Sequence, residues 1–206
     1  MSDPWTRIVG DGYDSMADDF AVWSTQIEGD PREWWLEQVT SRLDDGARVL
    51  ELGCGAGPDA RSLAERFRVT GVDITAEQVA RARTNVPEAH FVEADFTALE
   101  LETGSFDAVL AIYAFNHLPR DLLAPTFGRI RSWLASGGLF LASFGTSDTE
   151  IWVGEWLGTR MFFSSFPRET TSRLLAEAGF ELLLDELGPM REPDGEVAFH
   201  WVLAQR

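Results

Sequence analysis

Three acidic residues, Glu51, Asp73 and Asp95, sit in or at the end of apolar runs, which is where a sheet presents ligand-binding groups. Glu51 lies in Val49-Leu50-Glu51-Leu52, which leads into Gly53-Cys54-Gly55-Ala56-Gly57 and then Pro58. Glycines at alternate positions permit positive φ and let a ligand approach the main chain. A proline directly after them suits a first helical turn. Such a turn serves dinucleotides, nucleoside triphosphates and other adenosyl ligands, so the acids must discriminate. Asp73 ends Val69-Thr70-Gly71-Val72-Asp73, 20 residues past Gly53. At that spacing a strand-helix-strand unit brings a carboxylate to ribose hydroxyls. Asp95 follows His90-Phe91-Val92-Glu93-Ala94 and precedes Phe96. A carboxylate there can accept from an adenine amine while the ring packs on the base.

Glu51 would serve a pyrophosphate poorly and a cationic amino group well. The loop reads Gly-x-Gly-x-Gly, and no Lys-Ser/Thr pair closes it, which excludes the phosphate loop of nucleoside triphosphatases. An NAD(P)-dependent oxidoreductase shares the Asp73 spacing but leaves Glu51, Asp95 and the loop pattern unexplained.

With these residues in place the chain resembles the class I S-adenosylmethionine-dependent methyltransferases, in the branch that modifies small molecules. The matching stretches are Glu51 to Gly57, Gly71 to Ile74, Glu93 to Phe96, Phe106 to His117 and Leu134 to Phe144. The resemblance implies a Rossmann-like doubly wound α/β sheet of seven strands, with the last strand antiparallel between the fifth and sixth. It implies S-adenosyl-L-methionine as cofactor, held by Glu51, Gly53, Cys54, Gly55, Gly57, Asp73, Ile74, Asp95, Phe96 and Ala111. Tyr13, in Tyr-Asp-Ser-Met-Ala, is similar to the Tyr-x-x-x-Ala element that many relatives place over the cofactor. The implied reaction is methyl transfer to oxygen or nitrogen of a small organic acceptor by in-line displacement. A non-methylating role, pericyclase-like or in an interaction, remains the alternative.

The elements that must position these groups alternate as a doubly wound sheet requires. Residues 1–45 read as two helices, Tyr13 to Trp23 and Arg32 to Leu43, the second signed by Asp30-Pro31-Arg32-Glu33. Thr75 and Gln78 sign a helix after Asp73. Residues 46–144 form the cofactor-binding core. Its fourth strand, Asp107 to Ile112, is apolar on both faces, as expected under helices on both sides. Gly137-Gly138 is expected to stop the next helix, and Pro125 either kinks that helix or starts its regular part. Residues 145–166 lack periodicity yet are rich in aromatic residues, which suggests a cap inserted after the fifth strand, Leu139 to Phe144. A helix from about Pro167 to Ala178 and strands Phe180 to Leu187 and Val197 to Ala204, joined at Pro193-Asp194-Gly195, complete 167–206. The whole is expected to be one domain.

Composition narrows the partners. Seventeen basic against 34 acidic residues give a net charge of −17, which repels a phosphate backbone and argues against nucleic acid. One cysteine excludes an internal disulfide, and no metal-ligand spacing is present. No stretch is apolar enough for a membrane span, and the N-terminus has no signal core, so the expectation is a cytoplasmic protein with a small-molecule substrate. The sequence assigns no oligomeric state.

The catalytic candidates are His117 and Tyr13, with His117 weighed against a structural hydrogen-bonding role. Tyr113, Asn116, Trp152, Trp156, Met161, Phe162, Phe163 and His200 are the substrate-binding candidates, suiting an apolar or aromatic acceptor. Their alternative is a hydrophobic cluster that seals the cap. Trp5 and Trp23 are assigned to packing, Cys54 to a small-residue slot without reactivity, and His90 to structure. Asp148, Glu150 and Glu155 could neutralise a cationic substrate, although exposed acids are ordinary in so acidic a chain.

Overall fold

The computed structural model describes residues 4–206. Three helices, α1 (Pro4–Ser15), α2 (Ala17–Ser24) and α3 (Arg32–Thr40), precede the sheet. Then follow β1 (Arg48–Leu52), α4 (Pro58–Leu63), β2 (Arg68–Asp73), α5 (Ala76–Asn85), β3 (His90–Glu93), β4 (Phe106–Ala111), α6 (Arg120–Trp133) and β5 (Leu134–Phe144). A hairpin of β6 (Thr149–Trp156) and β7 (Thr159–Ser165) is followed by α7 (Arg168–Glu177), β8 (Glu181–Glu192) and β9 (Gly195–Gln205).

Seven strands form one sheet in the order β3-β2-β1-β4-β5-β9-β8. The first five run parallel, and β9 lies antiparallel to both β5 and β8. The expected doubly wound sheet with its last strand antiparallel is therefore present. Its order reverses between β1 and β4, where open sheets bind ligands beyond their carboxyl ends.

Strand alternation divides the core. Val49, Ala108, Leu110, Leu139, Leu141, Trp201 and Leu203 face α3, α4 and α5. Leu50, Leu52, Val109, Phe140, Ala142, Val202 and Ala204 face α6 and α7. A strand buried on both sides needs apolar residues at both parities, which explains why β1 and β4 read as continuous apolar runs. Glu51 is the exception: it is a buried carboxyl group on the α4 side.

Several boundaries differ from the sequence expectation. The first helix begins at Pro4 and breaks at Met16, whose side chain is buried in the cluster below the break. Asp30 accepts from Arg32 N at 2.9 Å, but the N-cap position of α3 is Pro31, one residue later, and carries no side-chain capping bond. Thr75 precedes α5, but its hydroxyl donates to Asp73 and does not cap the helix. Pro125 lies inside α6, which is already helical from Arg120. That helix ends at Trp133, before Gly137-Gly138, because Leu134 is drawn into the sheet beside Phe106.

The segment 145–166 is a regular two-stranded antiparallel hairpin. Leu157 and Gly158 turn it with φ of 49° and 74°, the left-handed pair that suits a two-residue hairpin loop. Met161 and Phe162 of β7 pack with Val9 and Met16 into a separate small core that joins the hairpin to α1 and α2.

Gly71 of β2 is where the sheet meets the loop after β1. A Cβ there would lie 2.6 Å from the Phe91 ring and 2.9 Å from Cys54 Sγ. Gly71→Ala is expected to cost about 1–3 kcal/mol by overpacking, measured as a lower denaturant midpoint at unchanged slope.

Candidate functional site

The loop after β1 takes its shape from β2. Gly53 N and Cys54 N both donate to Val72 O, at 2.8 and 3.1 Å. Gly53 has φ of 71°, and a Cβ on it would lie 2.8 Å from Ala114 Cβ, so no other residue fits without displacing the turn after β4. Gly55 N donates to Asp73 Oδ2 at 2.8 Å, while Thr75 N and Oγ1 donate to Oδ1 at 3.0 and 2.9 Å. Burial still raises the Asp73 pKa despite these donors. Cys54 is buried, and its thiol is pushed up by burial and by Glu51 and Asp73; it is a neutral packing group.

A cavity of about 530 Å³ opens above this loop. Glu51, Gly53, Cys54, Gly55, Gly57, Asp73, Ile74, Asp95, Phe96 and Tyr13 all line it. Asp95 Oδ1 accepts from Thr97 N and Oγ1 at 2.8 and 2.7 Å, which leaves its other oxygen for a ligand. Glu51 Oε2 is buried and meets no protein donor among the described residues. Burial, then Asp59 and Asp73, hold the Glu51 pKa well above the usual carboxylate range, against the pull of Arg32. A buried carboxylate left this way is completed by a cationic donor.

Arg32 stands at the edge of the cavity. Its guanidinium lies 3.3 Å from Asp59 and 3.5 Å from Asp30, and 5.0 Å from the Tyr113 ring centroid. Tyr113 OH donates to Asp30 Oδ1 at 2.7 Å. Tyr113 also has φ of 56°, a conformation rare outside glycine that marks an over-determined position.

A second cavity, about 410 Å³, adjoins the first. Tyr13, Phe20, Ser24, Arg32, Tyr113 and His117 line both. Tyr13 OH lies 2.9 Å from His117 Nε2, and His117 Nδ1 lies 3.0 Å from Phe162 O. A carbonyl can only accept, so Nδ1 carries the proton, and Tyr13 donates to the bare Nε2. Burial lowers the His117 pKa to about 4, so the ring is neutral at physiological pH. Burial, with Asp73, raises the Tyr13 phenol.

Of the substrate-binding candidates, Tyr113, Asn116, Trp152, Trp156 and Phe163 line the second cavity. Ala111, Met161, Phe162 and His200 line neither. Ala111 is wholly buried in the core facing α6, and the cavity wall after β4 is made by Ile112, Tyr113 and Ala114. Met161 and Phe162 point into the core shared with α1. His200 is buried against Asp185, with Nε2 at 3.1 Å, while its neighbour Phe199 faces the cavity. Asp148, Glu150 and Glu155 line neither cavity, and Asp148 pairs with Arg120.

Trp5 lines the first cavity and Trp23 the second, and both also pack on neighbouring rings, Trp5 on Phe162 and Trp23 on Phe20 and Trp156. Phe20 and Arg32 were not foreseen. Phe20 follows Tyr13 by seven residues, which is two helical turns on one face, but the break at Met16 obscures that spacing. Arg32 was visible only as part of a helix start. Among the described residues no group of His, Cys, Asp and Glu is arranged to hold a metal ion, and no helix is long and apolar enough to cross a membrane.

Residues 49–138 match a family model described as a methyltransferase domain. Over those residues the chain is similar to the S-adenosylmethionine-dependent methyltransferases. Over 141 residues it is 32% identical to a 27-O-demethylrifamycin SV methyltransferase of Amycolatopsis mediterranei, covering 58% of this chain and 52% of that protein. The chain thus spans about half the length of that curated relative, and 35% and 39% of two sterol methyltransferase relatives. In fold it is similar to a 1,6-didemethyltoxoflavin-N1-methyltransferase of Burkholderia thailandensis, with TM-score 0.77 and 22% identity, covering all of this chain and 91% of that one. It is also similar to the 4+2 cyclase SpnF, with TM-score 0.71 and 22% identity over 91% of this chain and 78% of that one.

The first cavity fits this cofactor. The orphaned Glu51 oxygen suits its ammonium, Asp73 its ribose and Asp95 its adenine amine, while the Arg32 cation at the cavity edge suits its carboxylate. Without ligand, the raised Glu51 pKa means that this group stabilises the fold below the ordinary carboxylate range, and the contribution is lost as pH rises through the raised value. Glu51→Gln should therefore raise the melting temperature of the free protein at pH 8 by a few degrees, with the gain shrinking toward pH 4, as followed by differential scanning fluorimetry.

Proposed function

We propose that the chain transfers a methyl group from S-adenosylmethionine to a small aromatic acceptor seated in the second cavity. The observation that carries this reading is the seam between the two cavities, where Tyr13 and His117 belong to both walls. On this reading α1, α2 and the β6–β7 hairpin are a cap over the core formed by residues 46–144, and 167–206 completes the sheet. The buried Glu51 oxygen opposes a pyrophosphate ligand, which leaves the oxidoreductase reading without support.

When bound, the cofactor supplies an electrophilic methyl carbon on a sulfonium. The protein's own part is to hold the acceptor in line and exclude water, and such positioning can be worth roughly 7–11 kcal/mol. Phe20, Trp23, Trp156, Phe163 and Phe199 provide apolar and aromatic area for this. Where the attacking group is a hydroxyl, its proton passes to Tyr13 Oη as the Tyr13 proton passes to His117 Nε2. The imidazolium so formed keeps its Nδ1–H on Phe162 O, the contact that sets its orientation. The positive charge gained on His117 balances the one lost when the sulfonium becomes a thioether.

The rival reading, a pericyclase-like role, rests on the fold likeness to SpnF, and it predicts no S-adenosylhomocysteine among the products. Incubation with S-adenosylmethionine and a phenol or hydroxyquinoline series, followed by mass spectrometry, separates the two.

Asp73→Ala is expected to abolish S-adenosylhomocysteine binding by calorimetry, because it removes the ribose acceptor and releases Gly55 and Thr75. Tyr13→Phe and His117→Gln should bind it within about three-fold of wild type, yet lower kcat on a hydroxyl acceptor by about 10²-fold or more. Because His117 must be neutral to accept a proton and burial holds its pKa down to about 4, kcat/KM should stay level toward acid pH and fall only near pH 4. An acid limb near pH 6.5 would refute this assignment.

A further inference from the structure

The wall of the second cavity holds two charged residues, Arg32 and Glu192. Arg32 is balanced by Asp59 and Asp30, and a cofactor carboxylate bound beside it would balance it further. Glu192 has no such partner. Burial, then the neighbouring Asp194, raises its pKa, and no cation or hydrogen-bond donor among the described residues opposes that shift. A half-buried carboxylate so placed is stabilised by a cation that enters the cavity.

Strand parity aims Glu192 inward. On β8, Gly188, Met190 and Glu192 alternate with the exposed Pro189 and Arg191, and the cross-strand pairs Met190–Val197 and Glu192–Gly195 put these residues on one face. Met190, Glu192, Val197 and Phe199 all line the cavity. Gly195, opposite Glu192, has no side chain, and a Cβ built there would meet nothing within 4 Å, so the carboxylate has open space beside it. Tyr113, which belongs to both cavities, lies 3.5 Å from the Met190 sulfur and 4.7 Å from the Phe199 ring. Glu192 is two residues further toward the hairpin tip than Met190, roughly 7 Å along the strand, and it lines only the second cavity. The carboxylate thus stands beyond Tyr113, at the outer part of this cavity.

We propose, resting on the methyltransferase reading, that the acceptor is an aromatic compound with a protonated amine on a short side chain, and that Glu192 selects it by pairing with the ammonium while the reacting atom lies at the seam. Trp156 and Phe163, with ring centroids 5.6 Å apart, supply the ring surface for its aromatic body, and the face of such a ring also attracts a cation. The ammonium is an anchor and not the attacking atom, because it has no lone pair with which to take a methyl group. The net charge of −17 favours the approach of a cation and opposes that of an anionic analogue.

The test uses three probes that share one ring system: tryptamine, a cation at about pH 7.5, indole-3-ethanol, which is neutral, and indole-3-acetate, an anion. Binding is measured by calorimetry on the full chain, with and without saturating S-adenosylhomocysteine. Tryptamine should bind about five-fold or more tighter than indole-3-ethanol, with indole-3-acetate the weakest, and the spread should shrink as salt is raised. Glu192→Gln, which keeps the shape of the side chain, should remove the advantage of tryptamine while indole-3-ethanol and S-adenosylhomocysteine affinities stay within about two-fold. Glu192→Lys should place indole-3-acetate ahead of tryptamine, and S-adenosylhomocysteine binding by each variant reports that it is folded. Equal binding of the three probes, a preference for the anion in the wild type, a tryptamine preference that survives in Glu192→Gln, or no binding of any probe overturns the proposal. Absence of S-adenosylhomocysteine binding in the wild type, with a Glu192-dependent tryptamine preference intact, would overturn the methyl-donor reading and leave the amine site standing.

Discussion

Val72 and Asp73, the last two residues of β2, tie together three turns, and the site is built on those turns. Val72 O takes the amides of Gly53 and Cys54, and Asp73 O takes the amide of Ala94. The Asp73 carboxylate takes Gly55 N, Thr75 N and Thr75 Oγ1. Removing a carboxylate from water costs several kcal/mol, and hydrogen bonds to a charged group return about 1.5–3 kcal/mol each. The two sums are comparable, yet the Asp73 pKa remains raised, so burial still outweighs the donors. A ligand that adds hydroxyl donors tips the balance, and this couples cofactor binding to the rigidity of all three turns.

Helices α1 and α2 and the β6–β7 hairpin are held to one another mainly by apolar contact. Val9, Met16, Met161 and Phe162 make a core that α1, α2 and the hairpin share. The polar link from α2 to α5 is the Arg81–Asp18 pair, in which Asp18 is 91% exposed, and such a pair contributes about 0–1 kcal/mol. Tyr13 on α1 and Phe162 on β7 both bond His117. Helix α1 and the β6–β7 hairpin thus each supply one of the two groups that fix the His117 ring.

The core was legible because its signals are local. Alternating glycines, strand-end acids and doubly apolar strands each follow from backbone geometry and burial on both faces. The hairpin was not, because its parity is scrambled. Ile151, Trp152 and Val153 are consecutive, apolar and exposed on β6, whereas Met161 and Phe162 are consecutive and buried on β7, so no period of two survives. His200 was misplaced for a related reason: Phe199, His200 and Trp201 are all ring residues, and sequence alone does not say which parity faces the cavity. Phe199 shares its face with Trp201 and Leu203, against Tyr113, and that pairing is a tertiary fact. The polar network of Arg32, Asp59, Asp30 and Tyr113 joins residues up to 83 positions apart and left no local trace.

The two cavities differ in what constrains them. The cofactor side rests on main-chain donors and strand ends, so its geometry is fixed by the sheet. The second cavity rests on side chains from α2, the turn after β4, the hairpin and β9, none of which must be a particular residue for the sheet to form. Substitutions there leave the strand-end geometry of the first cavity intact. Tyr13, Tyr113 and His117 belong to both sides, and misplacing a reacting atom by about 1 Å can cost on the order of 10²-fold in rate. All are tightly held: His117 by two hydrogen bonds on its ring, one of them from Tyr13, and Tyr113 by Asp30 and by Arg32 over its ring, in a backbone conformation that few residues adopt.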